Sequence, residues 1–200
     1  VKGMLSGLIS TNFFNKKNGL FFNLIVGVIP ILVVGYFFRD SVETSLRNGE
    51  VIAYSTIGFG LLLYLAHKFE KKQKNLSSLS LSQALVIGLF QCLALIPGTS
   101  RSGITITAGL FLGLNATSAS KFSFLLAIPT IGAISLVELI RLSMMDLSQN
   151  GLQLLLAASI SFAVAYATIN IFLRLIDRIG FTPFVIYRLI LGGWLLLFWL

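Results

Sequence analysis

Arg101 lies between two serines in the run LALIPGTSRSGITITAGL, residues 93–110, with apolar sequence on either side. Thr99, Ser100, Ser102, Thr105 and Thr107 surround it with hydroxyls, and no acidic residue is its neighbour in sequence. A guanidinium offers a planar fork of N–H donors that matches two phosphate oxygens at once. Hydroxyls add hydrogen bonds without adding negative charge. Gly98 and Gly103 permit a tight turn, and a helix starting near Gly103 would aim unpaired N–H groups and its positive end at the same point. Arginine, hydroxyls and a helix N-terminus together describe a site for an anion, and for phosphate in particular. The plainer alternative is a helix contact lined with small and hydroxyl residues, with Arg101 reaching an interface. Gln91, ten residues before Arg101, either bonds a neighbouring helix or faces the same cavity, and the sequence leaves both open.

The elements that position this run follow from composition. Hydrophobic residues make up 56% of the 200 and charged residues only 11%, against roughly 25% charged in a soluble domain. The reading is an all-α integral membrane protein. The net charge of +8 does not point to nucleic acid, because the basic residues gather in short loops between apolar runs, as the positive-inside rule requires. A transmembrane helix needs about 20 apolar residues. Five segments qualify: Leu20–Phe38, Val51–His67, Ser118–Ile140, Leu152–Ile176 and Pro183–Leu200.

Loop charges orient these spans. Lys16 and Lys17, the run from Lys68 to Lys74, and Arg174, Arg178 and Arg188 are assigned to the inner side. The lysine run is expected to rest against anionic lipid headgroups. Residues 80–117 must then begin and end inside, although they are mostly apolar. A segment that enters and leaves on one side is a re-entrant hairpin. Its arms are expected at Leu81–Ile96 and Gly103–Leu114, broken by Pro97-Gly98. Non-helical backbone survives at membrane depth only where protein buries it or water reaches it, so a cavity is expected at the tip.

Other residues carry less chemistry. Pro30 and Pro129 stand inside spans, after the similar runs LIVGVIP and FLLAIP, and Pro183 suits the first turn of the last span. Cys92 reads as a small packing residue, His67 as an interfacial non-catalytic residue, and Glu138 as the partner of Arg141 three positions on.

The stretch FQCLALIPGTSRSGITITAGLFLG resembles the second signature of the undecaprenyl-diphosphate phosphatase family, the bacitracin-resistance type. Its core in that family is matched here by Pro97, Gly98, Ser100, Arg101, Ser102, Gly103 and Thr105. KFSFLLAIPTIGA, FTPFVIYRLILG and LIVGVIPILVVGYFF are similar to further parts of the family. The resemblance implies hydrolysis of undecaprenyl diphosphate to undecaprenyl phosphate and inorganic phosphate, recycling the cell-wall lipid carrier in the bacterial inner membrane. It implies that the about five transmembrane helices and one re-entrant helix-loop-helix of this chain are part of an inverted-repeat fold. Within a single membrane domain, residues 1–80 would close the first repeat with two spans and a basic loop. Residues 81–200 would form the second, with hairpin 81–114 and three spans. It also implies a pocket opening toward the outer face, with Arg101 and Ser100 catalytic, and Ser102, Thr105, Gly98, Gly103 and Gln91 holding the diphosphate.

The departure from the family is equally specific. Nothing here resembles its glutamate-rich first signature, which supplies the ligands of a divalent cation, Mg2+ or Ca2+. No metal ligand is therefore expected within this chain. The chain is expected to be a fragment or truncated copy that binds diphosphate weakly and turns it over negligibly alone. The expected partners are a polyprenyl diphosphate and membrane lipids, with a homodimer left open. The rival function is a transporter or channel for an anion built on the same broken-helix site.

Overall fold

The computed structural model describes residues 18–45, 48–70, 74–142 and 151–199. Seven α-helices follow one another among the described residues: α1 (Asn18–Ser45), α2 (Gly49–Lys68), α3 (Leu81–Cys92), α4 (Arg101–Phe111), α5 (Ala116–Leu142), α6 (Gly151–Ile179) and α7 (Thr182–Trp199). Short 3-10 turns cover Leu76–Ser78 and Leu93–Leu95. The all-α reading holds, and each expected span coincides with a helix. Among the described residues α1, α2, α5 and α6 are long and apolar enough to cross a membrane, whereas the apolar stretch Thr182–Phe198 of α7 is shorter.

Residues 81–111 form a closed hairpin, as the loop charges require. At its base Lys74 and Leu114 pair as a parallel bridge. The Lys74 N–H donates to Gly113 O and the Asn115 N–H to Lys74 O, both at 3.0 Å. Gln83 Nε2 and Lys74 Nζ both donate to Leu112 O at 3.3 Å, so the exposed carbonyl end of α4 is capped by a cation, as its dipole favours. Entry and exit therefore lie side by side. The base is fastened to the rest of the molecule by Glu70, whose Oε1 accepts the Ala116 N–H that opens α5 at 2.8 Å and whose Oε2 lies 3.2 Å from His67 Nδ1. Thr117 donates to Asp177 nearby. His67 thus belongs to an interfacial latch.

The core is centred on the hairpin's second arm. Every residue of α4 from Ile104 to Leu110 is buried. α4 packs between α3 and α5 on one side and α2 on the other, while α2 lies along α7 and α1 along α3 and α5. The α1–α3 crossing depends on small residues: a Cβ on Gly88 would run into the backbone of Gly27. α6 is different. From Gly151 to Thr168 each of its residues is exposed, as suits a helix whose surroundings are apolar lipid.

Pro30 and Pro129 sit inside α1 and α5, and Pro183 falls in the first turn of α7. Cys92 is a half-buried free cysteine whose Sγ lies 3.6 Å from Gly88 O. The expected Glu138–Arg141 pair, the lysines at 2, 16 and 17 and those at 71 and 72 lie outside the described side chains.

Candidate functional site

The hairpin tip is built by a break in backbone geometry. The α3 arm ends in the 3-10 turn at Leu95, and Gly98 takes φ +88, a conformation that L side chains rarely adopt. A Cβ there would also meet Ser55, Thr56 and the Ile52 carbonyl of α2. Ser100 follows with φ 68, the one non-glycine at positive φ among the described residues, at a cost of about 1–3 kcal/mol. Its hydroxyl accepts the Gly103 N–H at 3.3 Å and caps α4. The helix therefore begins at Arg101, two residues earlier than the sequence suggested, because Ser100 supplies the cap.

The tip lies deep. Its carbonyls reach α2 at Ser55 and Thr56, about 18 Å along the helix from the base at His67 and about 10 Å from the other end of α2 at 1.5 Å per residue. Protein groups satisfy the exposed backbone, as membrane depth demands. Ser55 Oγ donates to Pro97 O, and Thr56 Oγ1 donates to Gly98 O at 3.3 Å. Arg188 of α7 donates through Nη2 to Gly98 O at 2.7 Å and through Nε to Thr56 O at 3.2 Å.

Arg188 is the residue that the sequence analysis misassigned. Grouped there with inner-side loop charges, it instead sits inside α7, half-buried against Gly60. Its stem starts near the middle of α2 and its head reaches up to the tip. A Cβ on Gly103 would come 3.9 Å from Arg188 Nη1, so the guanidinium borders the first turn of α4. The available signal was its position within the apolar run 183–200, where an arginine is as costly as Arg101.

Arg101 turns to a different neighbour. Its Nε donates to Gln91 Oε1 at 2.9 Å, and Gln91, fully buried, donates to Thr130 Oγ1 of α5 at 3.5 Å. Gln91 thus links the tip to a neighbouring helix and orients the arginine. Arg101 Nη2 and the buried Thr99 Oγ1 have no hydrogen-bond partner. Buried polar groups in folded proteins are nearly always paired; Ser120 Oγ on α5 is the third such unpartnered atom among the described residues.

The expected site residues divide into two sets. Ser100, Ser102 and Gly103 line one cavity together with Arg188, whereas Arg101, Gln91 and Gly98 are not among the residues that line it. Thr105 does not join them: its hydroxyl is turned inward, 2.7 Å from Ser123 Oγ and 3.0 Å from Arg101 O, and the residue is 1% exposed. Thr107 likewise bonds Gly103 O at 2.7 Å.

The electrostatics favour an anion. Arg101 beside Gln91, Arg188 at the Gly98 carbonyl and the positive end of α4 each border the tip. Among the described residues neither arginine pairs with a carboxylate, and the ion pair present, His67–Glu70, lies at the opposite end. Cations at a helix N-terminus repel its dipole, so a di- or trianion would relieve every term at once. Among the described residues no three of His, Cys, Asp and Glu come together to hold a metal ion.

Comparison with known proteins agrees with this chemistry. A family model described as bacitracin resistance protein BacA matches residues 1–194. The chain is 49% identical over 175 residues to undecaprenyl-diphosphatase 1 of Pseudoalteromonas translucida, covering 88% of this chain and 66% of that protein. It is 48% identical over 192 residues to the undecaprenyl-diphosphatase of Alteromonas mediterranea, covering 94% and 72%. With that of Hahella chejuensis it shares 46% over 186 residues, covering 93% and 69%. The chain thus spans about two thirds of the length of these curated relatives.

Proposed function

The chain belongs to the bacitracin resistance protein BacA family, and from that premise we propose that its hairpin tip binds the diphosphate of undecaprenyl diphosphate and serves its hydrolysis. In this reaction a water oxygen bonds to the terminal phosphorus and the bond from that phosphorus to the bridging oxygen breaks. Inorganic phosphate and undecaprenyl phosphate result. Phosphoryl transfer demands positioning and charge neutralisation more than covalent help from the protein. Arg101 supplies the neutralisation through its free Nη2, and Ser100 a hydroxyl beside it. Ser102, Gly98 and Gly103 shape the anion's seat. Gln91 and Thr105 act from behind, the first by orienting Arg101 and the second by fixing the first turn of α4.

The observation that carries this reading is the buried, unpartnered Nη2 of Arg101 at a doubly cationic tip. The three relatives are named for a diphosphatase, not for a transporter. The divalent cation that the resemblance implies finds no ligand set among the described residues. The setting is the bacterial inner membrane, crossed several times, with the tip toward the outer face and the lysine-rich base inside. Membrane lipids surround the protein.

The test is Arg101→Ala in the complete protein, with phosphate release from undecaprenyl diphosphate as readout. Loss of one preorganised donor to a developing oxyanion lowers turnover by about 10²–10³. Near-normal release would overturn the reading.

A further inference from the structure

A cavity of about 550 Å³ lies at the base, where the end of α2, the start of α5 and the end of α6 come together. Its volume is within the roughly 300–1,000 Å³ of pockets that take small molecules. Two carboxylates, Glu70 and Asp177, and one guanidinium, Arg178, stand on its wall. They differ in how far the protein satisfies them. Glu70 is spent on the latch, with Oε1 on the Ala116 N–H at 2.8 Å and Oε2 on His67 at 3.2 Å. Asp177 accepts from Thr117 through Oδ1 alone, and its second oxygen is without a partner among the described residues. The Arg178 side chain has none there either, and both residues are exposed. Residues 176–180, the end of α6 and the residue after it, also line the cavity. The last carbonyls of a helix carry the negative end of its dipole, which favours a cation beside Asp177.

We propose that this cavity seats the headgroup of an inner-leaflet phosphatidylethanolamine, with its primary ammonium on Asp177 and its phosphate on Arg178. No residue of the hairpin tip takes part, so the inference stands apart from the diphosphatase reading. Charge complementarity selects the occupant: a free acceptor oxygen and a free guanidinium in one cavity match a zwitterion. A diphosphate would face two carboxylates. A divalent cation finds no set of three ligands among the described residues. The quaternary ammonium of choline has no N–H to donate and is held by aromatic faces, and no Phe, Tyr or Trp lines the cavity. A phosphatidylglycerol would leave Asp177 unpaired. Position selects a lipid over a free zwitterion. Lys68, Lys74 and Arg174 mark this end as the membrane surface. Ile128 of α5 and Ile171 of α6, 62% and 64% exposed, lead from the same two helices toward the middle of the membrane, where acyl chains would lie.

The experiment holds the full chain in maltoside micelles and titrates it with short-chain phosphatidylethanolamine. Phosphatidylcholine and phosphatidylglycerol of the same chain length, and free phosphoethanolamine, are titrated beside it. The unaltered chain is expected to bind the ethanolamine lipid about two- to fivefold more tightly than the choline lipid, the range of an exposed ion pair. Asp177→Asn keeps an acceptor for Thr117 and should abolish that preference. Arg178→Gln should weaken both lipids about two- to fivefold and leave the preference intact. A photoreactive phosphatidylethanolamine should label residues 176–180 of the unaltered chain, a result independent of whether any variant folds. Equal binding of the two lipids by the unaltered chain, a preference untouched by Asp177→Asn, or labelling confined to other segments would overturn the site. Tighter binding of phosphatidylglycerol than of phosphatidylethanolamine would overturn it in favour of a basic belt alone. Equal affinity for free phosphoethanolamine would overturn the lipid as its occupant.

Discussion

Arg101 Nε donates to Gln91 Oε1 at 2.9 Å, and that single bond decides which edge of the guanidinium faces the ligand. Gln91 is held in turn against Thr130, whose hydroxyl donates to Leu126 O at 2.8 Å within α5. The chain of contacts runs from the broken tip into a continuous helix, so the arginine is aimed from behind by rigid structure.

Gln91→Glu should convert the acceptor into an internal counter-ion. The carboxylate would pair with Arg101 and compete with phosphate for its charge. Pyrophosphate affinity is expected to fall at least about tenfold, since hydrogen bonds to charged groups contribute about 1.5–3 kcal/mol. Isothermal titration against the unaltered chain measures this, with thermal unfolding as a check that the fold persists.

Arg188→Ala should injure both fold and site. The Gly98 carbonyl loses its 2.7 Å charged donor and keeps only the Thr56 hydroxyl at 3.3 Å, and a hydrogen bond to a charged group contributes about 1.5–3 kcal/mol. The melting temperature should fall, and pyrophosphate affinity should fall with it. Arg188→Lys should recover part of the affinity through charge but little of the stability, because an ammonium cannot span Gly98 O and Thr56 O as the fork does.

Thr105→Val separates binding from packing. The Thr105 hydroxyl meets Ser123 and two carbonyls of its own helix, not the cavity beside Ser100. Stability should drop by about 1–3 kcal/mol, while pyrophosphate affinity measured below the unfolding transition stays within twofold. A large loss of affinity with unchanged stability would return Thr105 to the ligand.

The hairpin was legible in the sequence because its causes are local or charge-based. Pro97-Gly98 disfavours a continuing helix, and the basic run from Lys68 to Lys74 precedes the hairpin's first arm. The apolar runs likewise marked every helix, though length alone did not make α7 a full span. Arg188 was grouped with Arg174 and Arg178 by charge, although it lies within the apolar run 183–200. Only the alignment of α7 along α2 brings its head beside Gly98. Thr105 misled for a related reason. In sequence it is one more hydroxyl near Arg101, whereas in a helix begun at Arg101 its side chain bonds back one turn, as threonines in apolar helices do.

The proposed anion site at the tip of the hairpin depends on Arg101. The most direct measurement is titration of the full chain with inorganic pyrophosphate, beside the Arg101→Ala variant. Saturable binding that falls at least about tenfold in the variant is the predicted result, as expected for loss of a charge-assisted hydrogen bond. Equal binding by the two proteins would contradict it.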